Sequence, residues 1–278
     1  MGLRIKTNVA SQFVQRNLKT ADTVQSEEFQ KLSSGKRIVK SADDAAGLGI
    51  AKKIEAETRG LRMAVKNANQ GIALIQVAEG GLNESTNILT RLRELSIQAA
   101  SDTVGEKERG YLDLEYGQLA EELDRIAKTT TFSGSQLLTG ENETGTMDFH
   151  VGAYAGELNR IQFDSDQTNA TAENLGVSGT NIRTKEDAND NLQIVDEAID
   201  KVAGFRANFG SIQSRLQTSV SNLETQAVNQ DNARSVIEDV DVAEATAKVA
   251  SANVIKDAGI MTLSQANGIP NSALRLIN

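Results

Sequence analysis

Leu61, Ala68, Ile75, Leu82 and Leu89 stand seven residues apart, with Val65 and Ile72 interleaved at a second seam position where Glu79 and Thr86 fall as polar faults. A heptad repeat of this length is buried only by another helix lying alongside, so the pattern is coiled-coil-like. If residues 44 to 101 form one helix, it is roughly 85 Å long at 1.5 Å per residue, too long for a compact globule. The sequence therefore predicts a rod. With one proline, no cysteine and no tryptophan, burial falls almost wholly to Ala, Leu, Ile and Val, which suits closely packed helices better than sandwiches.

The flanking segments extend this reading. Ile5, Val9, Phe13, Leu18 and Ala21 recur at helical spacing, and the run stops at Leu32-Ser-Ser-Gly35, where Gly35 suits a helix end. Ser41-Ala-Asp-Asp44 reads as a capping box opening the long helix, and Thr103-Val-Gly-Glu106 as the cap of a shorter return helix through Leu112, Tyr116, Leu119, Leu123 and Ile126. From about 129 to 184 the chain turns to Gly, Thr, Ser and Asn around short alternating pieces, Met147-Asp-Phe-His-Val151 and Arg160-Ile-Gln-Phe163, which predict β-hairpins. Helical spacing returns after Thr184, a candidate cap, through Leu192, Val195, Ile199, Val202, Phe209, Ile212, Leu216, Val220 and Leu223. Past Asn232 a finer seam of small residues follows, and Pro270 is expected to break it before a last apolar turn, Leu274 to Ile277.

The fold class expected is mainly α: a long antiparallel, coiled-coil-like helical rod with a small β-hairpin region in the middle and the N- and C-terminal helices paired. Four segments follow: an N-terminal tail helix over 1–43, a first rod segment over 44–185, a second rod helix over 186–233 and a C-terminal tail helix over 234–278.

Chemistry is sparsely provided for. His150 is the one histidine, and with no cysteine and no HExxH pattern it anchors no usual zinc site. Carboxylate pairs such as Asp43-Asp44 and Glu121-Glu122 read as helix caps or solvated faces, and Gly47-Leu-Gly49 lacks the third glycine of a dinucleotide loop. No catalytic residue, metal ligand or cofactor is expected, and the chain is read as no enzyme. A net charge of -9 repels nucleic acid and anionic lipid. The N-terminus lacks the apolar stretch of a cleaved secretory signal, and no run approaches the ~18 residues of a membrane span.

The two ends carry the functional signal. Ordering a tail of about 40 residues costs on the order of 40 to 80 kcal/mol in backbone entropy, more than one narrow stripe of Ala and Val offsets in isolation. Apolar tails that need a partner to fold are what a subunit uses to zip into a multimer. The residues placed in that role are Ile5, Val9, Phe13 and Leu18 at one end and Ala243, Ala247, Ala250, Val254, Ala258 and Met261 at the other.

Ile5-Lys-Thr-Asn8, Lys31-Leu-Ser-Ser-Gly-Lys-Arg-Ile38, Ala42-Asp-Asp-Ala-Ala-Gly-Leu48, Asn67-Ala-Asn-Gln-Gly71 and Leu92-Arg-Glu-Leu-Ser-Ile-Gln98 resemble the N-terminal signature of bacterial flagellin. Ile237-Glu-Asp-Val-Asp241 and Leu263-Ser-Gln-Ala-Asn-Gly-Ile-Pro270 resemble its C-terminal signature. The long variable insert of many flagellins is missing. The resemblance implies a secreted subunit that polymerises with itself into the flagellar filament used for swimming, extracellular or in some bacteria periplasmic or sheathed. It further implies export through the type III apparatus, a dedicated chaperone on Ser235 to Asn278, and contacts with the hook-associated junction and cap proteins. Recognition by innate immune receptors is also implied, the Toll-like receptor positions matching Arg91, Leu95 and Glu115. The rival readings are a hook-filament junction protein, which shares the tail logic, and a coiled-coil signalling module, which shares the heptads.

Overall fold

The computed structural model describes residues 7–140, 146–164 and 168–275, the last seven by their backbone course alone. It is mainly helical: α1 (Val9–Ser34), α2 (Ala45–Ala100), α3 (Glu106–Thr129), α4 (Ala172–Leu175), α5 (Lys185–Glu238) and α6 (Val242–Arg275), with strands β1 (Thr131–Phe132), β2 (Ser135–Gln136), β3 (Thr146–His150) and β4 (Arg160–Asp164) between α3 and α4. Two compact units result, one of 1–56 with 229–278, the other of 57–228. α2 and α5 contribute residues to both.

In the first unit α1 and α6 pair. Asn8 Oδ1 accepts the Ser11 N–H and opens α1, and Gly35, left-handed at φ 70°, ends it as expected. The start of α2 differs from the capping box read at Ser41. Asp44 itself caps the helix, its Oδ1 accepting the Gly47 N–H at 2.8 Å, while Asp43 Oδ2 accepts the Val39 and Lys40 amides. Those two amides hold the Asp43 carboxyl below the usual carboxylate range. α5 runs unbroken to Glu238. α6 starts behind Asp241, whose Oδ1 accepts from the Ala243 and Glu244 N–H groups. The helix then passes through Pro270 to Arg275 without the expected break. A proline nitrogen cannot donate to the carbonyl four residues back, that of Ala266, and the Asn8 side chain gives that carbonyl a donor at 2.8 Å instead. Ile277 lies outside the described residues.

In the second unit α2, α3 and α5 pack around Leu82, Leu89, Leu92, Tyr116, Leu123, Val195 and Phe209, all at or near zero exposure. The first heptad seam, Leu61, Ala68, Ile75, Leu82 and Leu89, is buried as read. The second is not at Val65, Ile72, Glu79 and Thr86, which are only half-buried. It runs one residue earlier, through Ala64, Gly71, Ala78, Ser85, Leu92 and Ala99. Apart from Leu92 the residues of this seam are small, and a Cβ at Gly71 would stand 3.0 Å from the Phe149 ring, so Glu79 and Thr86 are flank residues and the polar faults vanish. Ser85 closes its hydroxyl onto the Gly81 carbonyl at 3.0 Å, which satisfies it inside the seam.

The cap read at Thr103 is also absent. Gly105 precedes α3 with no side-chain cap, and Glu106 and Glu108 supply negative charge to its first turn. Arg109 turns back to the end of α2, donating to the Ala99 and Ser101 carbonyls at 2.8 and 3.0 Å. Thr184 does cap α5, accepting the Asp187 N–H. The middle segment forms β-hairpins as expected, the pair at 131–136 lying outside the alternating pieces read from the sequence. β1 pairs antiparallel with β2 through a tight turn at Ser133 and Gly134, both at positive φ, and β3 pairs antiparallel with β4 from Thr146↔Asp164 to His150↔Arg160. Ile161 and Phe163 turn inward from β4, and the Phe163 ring meets Phe209 of α5 at 5.4 Å between centroids.

Candidate assembly surfaces

α1 and α6 run antiparallel. Asn8 donates to the Ala266 carbonyl at 2.8 Å, Lys256 Nζ reaches Asp22 at 2.6 Å, and Gln25 donates to Asn253 Oδ1 at 2.6 Å. Their facing stripes each step by three and four. On α1 they are Ser11, Val14, Leu18, Ala21, Gln25, Glu28 and Leu32, and on α6 Ala245, Val249, Ala252, Lys256, Gly259, Leu263 and Ala266, all buried or half-buried. Gly259 sets the closest approach, since a Cβ there would stand 2.7 Å from Leu18 Cδ2. No sequence reading singled out Gly259, although a glycine inside a helical repeat is itself a signal of close packing.

The sequence-derived stripe lies elsewhere on α6. Ala243, Ala247, Ala250, Val254, Ala258 and Met261 are all exposed, Val254 to 68% and Met261 to 73%. On α1 Leu18 is in the intramolecular seam, Val9 and Phe13 are more than half exposed, and Ile5 lies outside the described residues. The Arg16 guanidinium covers Phe13 at 5.2 Å from the ring centroid. α6 thus has two apolar stripes at helical spacing. One is taken by α1, and the other is exposed.

At the root of this unit the chain segments preceding α2 and α6 clasp each other. Arg37 N donates to the Glu238 carbonyl at 2.7 Å, Val240 N to the Gly35 carbonyl at 3.1 Å, and the Arg37 guanidinium to the Ile237 carbonyl at 2.6 Å. The buried Glu238 carboxylate takes Lys36, with Arg234 4.0 Å away. Glu238 belongs to the C-terminal signature, but its pairing was not legible because Lys36 is 202 residues away in sequence.

Arg91 and Glu115 come together on the surface of the second unit, the guanidinium donating to Glu115 Oε1 at 2.8 and 3.1 Å and to Glu94 at 3.0 Å. The Glu115 carboxylate raises the Arg91 pKa further. Leu95, the third of this set, is fully buried. His150 ends β3 half-buried, its carbonyl accepting from Asn67. Among the described residues no three His, Cys, Asp or Glu side chains gather as a metal site would need, and no helix is long and apolar enough to cross a membrane.

The bacterial flagellin N-terminal helical region matches residues 5–143, and the bacterial flagellin C-terminal helical region matches residues 192–277. The chain belongs to the bacterial flagellin family. The flagellar filament 33 kDa core protein of Treponema phagedenis is 37% identical over 284 residues, covering 98% of this chain and 99% of that protein. Bacillus subtilis flagellin is 33% identical over 304 residues, covering 99% of this chain and 100% of the other. The crystal structure of Bacillus cereus flagellin superposes with a TM-score of 0.50 at 27% identity, over 61% of this chain and 94% of that one. Flagellins of the chain's own length are matched end to end, consistent with a short form lacking a large outer domain.

Proposed function

We infer that this chain is the structural subunit of a bacterial flagellar filament and polymerises with copies of itself. The observation that carries this reading is the pair of flagellin regions at the two ends, in family order, in relatives named as flagellar filament proteins and aligned over nearly their whole length. The junction-protein and signalling-module readings lose ground, because whole-length relatives at 33 to 37% identity are flagellins. The flagellin family is structural, and no enzymatic role is proposed.

The first unit supplies the means of assembly. The free stripe from Ala243 to Met261, with exposed Val9 and Phe13, is apolar surface that a neighbouring copy would cover. Residues 1–43 and 234–278 act as the tail and 44–233 as the rod. The subunit is secreted unfolded to the cell exterior or periplasm, with the export chaperone holding Ser235 to Asn278, where α6 bares both stripes before α1 pairs with it. Hook-associated junction and cap proteins meet the same tail surfaces at the filament ends. An innate receptor would touch Arg91 and Glu115, with Leu95 acting from the core beneath them; loss of receptor signalling in Arg91→Ala and Glu115→Ala, with helicity unchanged, tests this. The filament reading is tested by electron microscopy of purified chain after salt or seeding: long uniform filaments are expected, and their absence under every condition overturns it.

A further inference from the structure

Leu158 is wholly exposed in a short 3-10 turn, Glu157–Asn159, between β3 and β4. The loop that carries it is firmly held. Val151 N donates to the Asn159 carbonyl at 2.7 Å, Tyr154 hydrogen-bonds the Glu57 carboxylate, and Ala153 packs on the cluster of Leu61, Ala64, Leu223 and Ala227. Leu158 is therefore a fixed apolar knob. A groove of about 400 Å³ lies at its base, with Arg215 on its wall, and that guanidinium has no ion-pair partner among the described residues.

A matching patch sits at the other end of the same unit. On the outer face of α3, Tyr111 and Leu114 are 72% and 63% exposed and stand three residues apart, so their side chains are neighbours. α3 carries seven carboxylates against four basic groups, and Glu121, two turns beyond Leu114 on the same face, makes no ion pair among the described residues. The loop bearing the knob lies along α2 from Glu57 and Gly60 to Asn67, whereas α3 is fastened beside Arg91 and Ala99. At least about 24 residues of α2 separate the two, or ~36 Å.

We propose that the Leu158 knob of one copy seats on the Tyr111–Leu114 patch of the next, with Arg215 facing Glu121, as a head-to-tail contact between second units. This rests on the filament-subunit reading and deepens it. The two surfaces differ and lie far apart, so the contact is heterologous and leaves a free knob and a free patch at every step, as an open polymer requires. It buries too little to hold two isolated chains together. It acts once the terminal helices have brought copies side by side, where effective concentration is high.

The chain has no cysteine, which permits a direct test. Leu158→Cys with Leu114→Cys, assembled under reducing conditions and then oxidised, is expected to give a ladder of covalent oligomers, since a disulfide needs Cα atoms within about 7 Å and the two sites cannot meet inside one chain. Each single variant should give no ladder. Leu158→Asp should raise the critical concentration for assembly about tenfold, the scale of losing one buried leucine, with its melting unchanged. Filaments that form but do not cross-link, together with an unaltered critical concentration, overturn the contact and leave the filament reading standing. Failure of the unsubstituted chain to polymerise brings down both.

Discussion

Tyr116 shows what a single residue can decide in a core built from small aliphatics. Its hydroxyl donates to Asn191 Oδ1 at 3.1 Å and lies 3.1 Å from Thr180 Oγ1, and Asn191 approaches the buried Ser96 hydroxyl at 3.5 Å. Tyr116→Phe leaves the Asn191 carbonyl oxygen without this donor and should cost about 1–3 kcal/mol in chemical denaturation. Burial also pushes the Tyr116 phenol up from its ordinary value. A folded-state pKa raised above the unfolded one means stability is intact below about pH 10 and falls as the unfolded phenol ionises. Alkaline melts should therefore show a loss that is smaller in Tyr116→Phe; equal losses would contradict this. Gly259→Val should push Leu18 off the seam and weaken the α1/α6 pair by about 1–3 kcal/mol, read as lower helicity and faster proteolysis of the tails.

At the scale of elements, α6 carries the central argument. Ala250→Glu on the free stripe should leave the monomer folded and stop polymerisation, while Ala252→Glu in the packed seam should separate α1 from α6 even in the monomer; pelleting and circular dichroism distinguish them. Identical behaviour of the two would mean that the stripes are not distinct. Helix existence, the return helix, the hairpins and the Gly35 and Thr184 caps were legible from periodicity and turn residues. Which of two stripes faced the partner was not. On α2 the larger residues Val65 and Ile72 drew the seam one residue late, because size marks a seam only where helices stand well apart. Ala64, Gly71 and Ala78 fill it instead. On α6 nearly every face is small enough to pack, so spacing alone could not say which face α1 would take. The resemblance groups Arg91, Leu95 and Glu115 as receptor positions, and packing buries Leu95 while Arg91 and Glu115 stay exposed, a difference that motif matching does not carry.

For the whole molecule, the proposed assembly through the tails brings the net charge into play. Copies carrying -9 each repel one another, so added salt should lower the critical concentration by screening. Assembly that weakens with salt would contradict this. The most direct measurement is negative-stain electron microscopy of the full chain beside a chain lacking residues 254–278, both after seeding in salt. The account predicts long uniform filaments from the full chain and none from the truncated one, whose second unit keeps its helicity; filaments from the truncated chain would contradict the assignment of assembly to the terminal helices.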